Sequence, residues 1–450
     1  MEDGRIKLEC SDWRYSAAIL GLIRYFDHNY LDYEAVDDYI IYDKQNIKKE
    51  YYVNYILERY KNTDFSYIYL INKLSKYTYT TDEIKEINKY MKYDAAKAIQ
   101  KLNLEFDGTN QEDLLKVLKD NKLDLVLTIF NNRQNCGYAK FCNSGDRKAK
   151  NRLKSSRLFK EDDKICRLIG FYVDLGKKRN LLTWNASQET LDSEDIQEFD
   201  FIPFAFSLDY TSIFINNNFS IQSLRTSNSY FKGQQSRIAL YKYIAELSDK
   251  NLCNNIEVII RDENTTYYQT LFIDKTIINE LKLIHKIENI AILEKLKIKV
   301  RDSFYIDFQY LLTLIFNRQY LDSVIHLILK NKDFYENYHY YLSIMIQINM
   351  ILYQKGKNMT DKYKSVYACA KTIANKLEEN KLNTYRQKLI NYISADNKTD
   401  IYNTLLQLSN YSQTNINFMF DILEDYSMNK NLIYAFIASL NKSQKKENEV

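Results

Sequence analysis

The chain has 450 residues, 63 of them basic and 59 acidic, so its net charge is only +4. That excludes a protein that coats nucleic acid by bulk charge and makes any such contact local. A hydrophobic share of 45% with 27% charged residues is that of an ordinary globular chain of roughly two or three domains, and six scattered cysteines do not make a disulfide framework. Forty Tyr against nine Gly and one Pro is what an AT-rich genome encodes, so part of the composition reflects coding bias.

The first element is a strand. Ile6, Leu8 and Cys10 alternate with Arg5, Lys7 and Glu9, the period of two of a half-buried strand. Ser11 offers an N-cap hydroxyl and Asp12 places a negative charge in the first turn of a helix. From Trp13 to Ile23 that helix is apolar nearly all round, with Ala17, Ala18 and Gly21 allowing close backbone approach. Asp27 to Asn121 then reads as mostly helical, and Leu123 to Phe130 as a strand. Residues 131–179 are polar, glycine-containing and basic. Ser187 to Asp200 holds six carboxylates and no Lys or Arg, which suits an exposed linker. Phe201 to Phe219 returns to strand-like apolar runs, with Pro203 at an edge or strand start. Ile256 to Arg261 alternates, Asp262-Glu263-Asn264 turns, and Tyr267 to Ile273 returns, which predicts a hairpin.

Only Gly356 follows Gly233. After Asp274 the chain therefore reads as helix almost to its end, with stops near Lys355-Gly356-Lys357 and Asp396-Asn397. The three-and-four spacing of Phe308, Leu311, Leu312, Ile315 and Tyr320, and of Ile344, Met345, Ile348, Ile351 and Leu352, fits a helical bundle core. The fold class is α+β: a mixed N-terminal and middle region with short strands and hairpins, then an all-α bundle. The expected domains are an N-terminal α+β domain over 1–130, a basic insertion and acidic linker over 131–200, strands over 201–300 that complete the first domain, and the bundle over 301–450.

Two sets of residues are candidates for nucleic acid. Arg147, Lys148, Lys150, Arg152, Lys154, Arg157 and Lys160 put seven positive charges in fourteen residues with no carboxylate between them, and Lys177, Lys178 and Arg179 follow. Such a cluster grips a duplex backbone through its phosphates without reading sequence; a solvated loop is the plainer alternative. Asn216, Asn217 and Asn218, with Lys232, Gln234 and Gln235, put amides on tight turns, where they can donate and accept at base edges in the minor groove. Ordinary turn chemistry accounts for them equally simply.

Enzyme signatures are absent. His28, His285, His326 and His339 have no metal spacing, and no Walker loop, GxSxG or HExxH occurs. Arg261-Asp262-Glu263 is a weak candidate for a nuclease carboxylate pair, since acidic residues are the default at a hairpin tip. The expectation is a non-enzyme with no cofactor and no bound metal.

The strand running through Asp12-Trp13 into a small-residue helix resembles the start of the large subunit of the type I-B CRISPR Cascade complex, in the branch named for its CXXC–CXXC zinc motif. Phe201-Ile202-Pro203-Phe204-Ala205-Phe206 and Ile213 to Phe219 resemble the same family. Its zinc pattern is not intact here. Cys136 and Cys142 are separated by five residues, only Cys166 lies nearby, and no histidine occurs between 28 and 285. The region reads as a zinc-type insertion that has lost its metal, with Cys136, Cys142 and Cys166 plus a distant fourth ligand as the alternative.

The resemblance implies a protein that binds the crRNA assembly and double-stranded target DNA, inspects the target-adjacent motif, supports R-loop formation and recruits a helicase-nuclease. Its partners would be the Cascade backbone subunits. A small subunit could arise from the same message by internal initiation at Met345, Met350 or Met359. The C-terminal bundle would itself resemble such a small subunit, with Lys371, Lys376, Lys381, Arg386 and Lys388 as strand contacts, or else as a solvated helix face. The rivals are a helical interaction scaffold and a metal-dependent nuclease. A cytoplasmic, membrane-free location is expected: Asp12 and Arg14 interrupt any leader-like helix, and Tyr340 to Tyr353 is too short and too polar to span a bilayer.

Overall fold

The computed structural model describes residues 4–59, 80, 82, 116–117, 119–123, 196–206, 211–229, 236–251, 255–262, 268–353 and 360–441. They fall into two units. Met1–Gln235 and Asn255–Phe272 form the first; Ser236–Asn254 and Ile273–Val450 form the second.

In the first unit β1 (Arg5–Glu9), β2 (Tyr33–Val36) and β3 (Tyr39–Asp43) make an antiparallel sheet in the order β1-β3-β2. The register pairs Ile6 with Tyr42 and Leu8 with Ile40, so one pleat face carries the apolar set into the core. Helix α1 (Trp13–Asn29) follows β1 directly. Its N-cap is Asp12, whose carboxylate accepts from the Arg14 and Tyr15 amides, one position later than the serine expected from sequence. A carboxylate is as good a cap as a hydroxyl and adds a favourable interaction with the dipole. Helix α2 (Lys49–Arg59) packs beside it.

The segment Gln197–Phe204 is a 3-10 helix and not the strand its apolar run suggested. The tight coil buries Phe199, Phe201, Ile202, Pro203 and Phe204 together. Nor is its acidic start an exposed linker. Glu198 and Asp200 are buried, with Tyr42 donating to Glu198 at 2.6 Å and Tyr52 donating to the Asp200 carbonyl at 2.8 Å. The β2–β3 hairpin is a second departure, since 27–121 had read as mostly helical.

Three further strands, β4 (Thr211–Asn216), β5 (Ile256–Asp262) and β6 (Tyr268–Ile273), form a sheet in that order, which contains the expected hairpin. Helix α3 (Ile221–Ser229) covers β4. Asn228 from α3 donates to the Ile215 carbonyl at 2.8 Å and accepts from the Ile215 amide at 2.9 Å. Its amide thereby takes the place of a neighbouring strand on the outer edge of β4.

The second unit is mostly helical: α4 (Arg237–Asn251), α5 (Lys275–His285), α6 (Phe308–Phe316), α7 (Asp322–Lys330), α8 (Lys332–Tyr353), α9 (Thr360–Lys376), α10 (Glu379–Ser394), α11 (Lys398–Ser412), α12 (Phe418–Glu424) and α13 (Tyr426–Ser439). A strand pair, β7 (Lys297–Arg301) with β8 (Phe304–Asp307), interrupts the helices where sequence had read helix throughout. The predicted core residues Leu311, Leu312, Ile315, Met345 and Ile348 are fully buried, while Tyr320 is exposed. The architecture is α+β, with short antiparallel strands early and a mostly helical C-terminal part.

Candidate nucleic-acid interface

The segments that carried the resemblance meet in the first unit. A Cβ on Gly21 would lie 2.1 Å from the Phe201 carbonyl oxygen, so α1 and the 3-10 helix approach at a distance only glycine permits. Tyr25 and Phe201 rings are 5.1 Å apart, Trp13 and Phe206 6.3 Å, and Phe206 and Phe214 5.6 Å. Residues 5–26, 201–206 and the strand at 211–216 thus share one core. Arg24 donates to the carbonyls of Phe204 at 2.6 Å, Ala205 at 3.0 Å and Asn228 at 3.3 Å. Burial, with the nearby Arg59 charge, pulls the Arg24 guanidinium down to about 10. Arg59 donates to the Phe206 carbonyl. Arg24 thereby fastens the end of the 3-10 segment onto α1, and Arg59 fastens the residues just after it onto α2.

Among the sequence candidates, Asn216 and Asn217 are buried, at 6% and 4% exposure. Asn216 donates to Glu257, its cross-strand partner, at 2.9 Å, and Asn217 donates to Ser227 at 3.0 Å. Asn218 is exposed. The basic residues Arg147, Lys148, Lys150, Arg152, Lys154, Arg157, Lys160, Lys177, Lys178 and Arg179 lie outside the described residues, as do Lys232, Gln234 and Gln235 and the cysteines Cys136, Cys142 and Cys166. Among the described residues no group of three or more His, Cys, Asp or Glu side chains is placed to hold a metal ion.

The lysines of the helical unit divide into two kinds. Lys371 donates to the Asn441 carbonyl at 3.0 Å, just beyond the C-terminus of α13. Lys376 donates to the Ser412 carbonyl at 2.9 Å and to Thr414 Oγ1 at 3.0 Å, at the C-terminus of α11. Both sit where a cation offsets the negative end of a helix dipole. Arg386 stacks over Tyr335, 4.0 Å from the ring centroid.

Lys381 and Lys388, exposed as Lys376 is, lie instead beside a pair of tyrosines. Lys381 lies 5.6 Å from the centroid of Tyr411, Lys388 lies 5.8 Å from that of Tyr385, and the two tyrosines are 6.5 Å apart. Tyr411 is 65% exposed. Burial, with the neighbouring Tyr411, raises the Tyr385 phenol above its ordinary value. Two aromatic faces flanked by two lysines make a small surface on which a base can stack while its phosphates meet cations. Sequence had flagged the lysines; their pairing with Tyr385 and Tyr411 was not visible, because Tyr411 comes from the next helix.

A family model described as CRISPR-associated protein Csx8 matches residues 5–236 and 231–440. The chain belongs to that family. No curated protein and no solved structure matches it. The Csx8 match takes in α1, the 3-10 helix and β4, and also the α10–α11 surface. Its two spans overlap at 231–236, where the chain passes from the first unit into the second. The chain is therefore a CRISPR-associated protein. No described helix is long and apolar enough to cross a membrane.

Proposed function

We propose that the protein is the non-catalytic large subunit of a type I-B CRISPR interference complex. It binds the crRNA assembly and target DNA, inspects the target-adjacent motif, supports R-loop formation and recruits the helicase-nuclease. The observation that carries this reading is family membership over nearly the whole chain. The lysine–tyrosine surface of α10 and α11 supports it, because stacking and phosphate contact together suit a strand held without reading its sequence. In this reading residues 147–160 and 177–179 hold duplex phosphates. Asn218 is the member of the 216–218 turn that faces outward, and it probes the groove with Lys232, Gln234 and Gln235.

The experiment is co-expression of the tagged chain with its genomic neighbours, followed by purification and sequencing of bound RNA. A stoichiometric complex carrying repeat-flanked guide RNAs is the expected result. A lone chain without RNA or partners, despite expression of the neighbours, overturns the proposal and favours an interaction scaffold. Metal-dependent cleavage by the isolated chain, lost in Asp262→Ala, would instead establish a nuclease.

A further inference from the structure

The second unit contains a groove of about 590 Å³ where α8, α9 and the C-terminal end of α5 converge, within the size range of ligand sites, about 300–1,000 Å³. On α8 it is lined by Tyr340, Ile344, Gln347 and Ile351, a spacing that puts all four on one helix face. Lys364 and Tyr367, three apart on α9, line the opposite wall, and Lys286 and Asn289 close the end beyond α5.

The floor is apolar, with Ile344 and Ile351 buried, but the rim is not. Tyr340 is 51% exposed and Tyr367 45%; the Tyr340 ring packs on that of Tyr341, centroids 4.1 Å apart, and offers solvent what Tyr341 does not cover. Lys286 and Lys364 are exposed, and among the described residues neither has an ion-pair partner. Glu288 is the one carboxylate in the lining. Lys371, held by Asn441, lies 5.7 Å from the Tyr367 centroid and so helps to fix that ring.

An apolar slot that received a protein helix would not need two cations and two amides at its rim. Aromatic faces beside lysines, with amide side chains between them, match a nucleotide: the base stacks, its edge meets an amide, and its phosphate meets an ammonium. We infer that this groove binds a nucleotide of a single-stranded nucleic acid, with Tyr340 and Tyr367 as stacking platforms and Lys286 and Lys364 as phosphate contacts. The inference rests on the nucleic-acid reading above but not on assembly with other subunits. It assigns a site separate from the Lys381–Tyr411 surface.

The test uses the isolated full-length chain and a fluorescent single-stranded oligonucleotide carrying 5-iodouridine. Anisotropy gives affinity, and photocrosslinking with peptide mass spectrometry gives position. Crosslinks at Tyr340 or Tyr367 are expected. Tyr340→Ala and Tyr367→Ala should each weaken binding about tenfold, the scale of one lost base stack. Tyr340→Phe and Tyr367→Phe should retain it, which separates stacking from loss of structure. Lys286→Glu with Lys364→Glu should lower the salt dependence of binding by about two counterions. Crosslinks confined to other peptides, or affinity unchanged in both alanine variants, overturn the assignment, as does the absence of oligonucleotide binding. A parallel titration with UMP and AMP distinguishes the source: saturable binding of free nucleotide without oligonucleotide binding overturns the strand. Failure to co-purify guide RNA bears on the complex and leaves these measurements standing.

Discussion

In the first unit, beside the buried amides that hold β4 and α3 together, phenols and guanidiniums reach main-chain carbonyls of one short segment, as Tyr52 reaches Asp200 and Arg24 reaches Phe204 and Ala205. In the second, amides and carboxylates are bonded to one another. Asn349 accepts from the Leu321 amide at 2.7 Å and donates to Asp322 at 2.6 Å and to Asn431 at 3.2 Å, while Tyr353 donates to Asp322 at 2.8 Å. The first arrangement joins segments far apart in sequence and depends on a few close approaches. The second ties together helices that already pack through apolar faces. A single substitution should therefore act differently in the two: through backbone geometry in one, through buried polar groups that lose a partner in the other.

Gly21→Ala should have the largest effect. Its methyl would meet the Phe201 carbonyl at 2.1 Å, main chain that cannot rotate away, so the first unit should lose about 3 kcal/mol or more. A denaturant midpoint that moves by less than about a third of this would mean that the 3-10 helix can shift. Next comes Asn349→Leu, which removes one donor to Asp322, leaving it Tyr353 and Lys430, and takes from the Leu321 amide its acceptor. About 2 kcal/mol of destabilisation is expected in urea melts, and the double variant with Asp322→Leu should recover part of it, because a missing pair costs less than a broken one.

Lys376→Met tests the helix-capping lysines. A loss of about 0.5 kcal/mol, with no change in nucleic-acid binding, is expected from removing a cation at the α11 C-terminus. The smallest effect is a pH dependence. Burial, with Lys330 and Lys430 nearby, lowers the His326 pKa from its ordinary 6.5. The folded state thus favours neutral imidazole, and its contribution is present above pH 6.5 and is lost as pH falls through the depressed value. Thermal midpoints measured across that acid range should decline slightly less steeply in His326→Gln than in the native chain.

What sequence could show was local. Alternation announced β1, β5 and β6, and three-and-four spacing announced the helices of the second unit. The run Phe201–Phe206 misled because a short apolar stretch without a period fits a strand or a tight coil equally, and the choice was made by Gly21, about 180 residues away. The β2–β3 hairpin was hidden for a related reason. Its turn residues Asp37 and Asp38 carry no glycine, yet Asp37 takes a positive φ of 42°, with its carbonyl accepting from the Ile221 amide. The lysine–tyrosine surface needed two helices to be placed side by side.

The amide of Asn228 has a consequence for how the β4–β5–β6 sheet can grow. An unpaired strand edge is a template on which another chain can add itself, and proteins close such edges by several means. Here one side chain occupies both hydrogen-bonding groups of Ile215 on the β4 side, while β6 is the strand at the opposite margin and carries the exposed Phe272. A strand visiting the β4 margin would have to displace the Asn228 amide from Ile215, so one side chain sets the cost of adding to the sheet on that side.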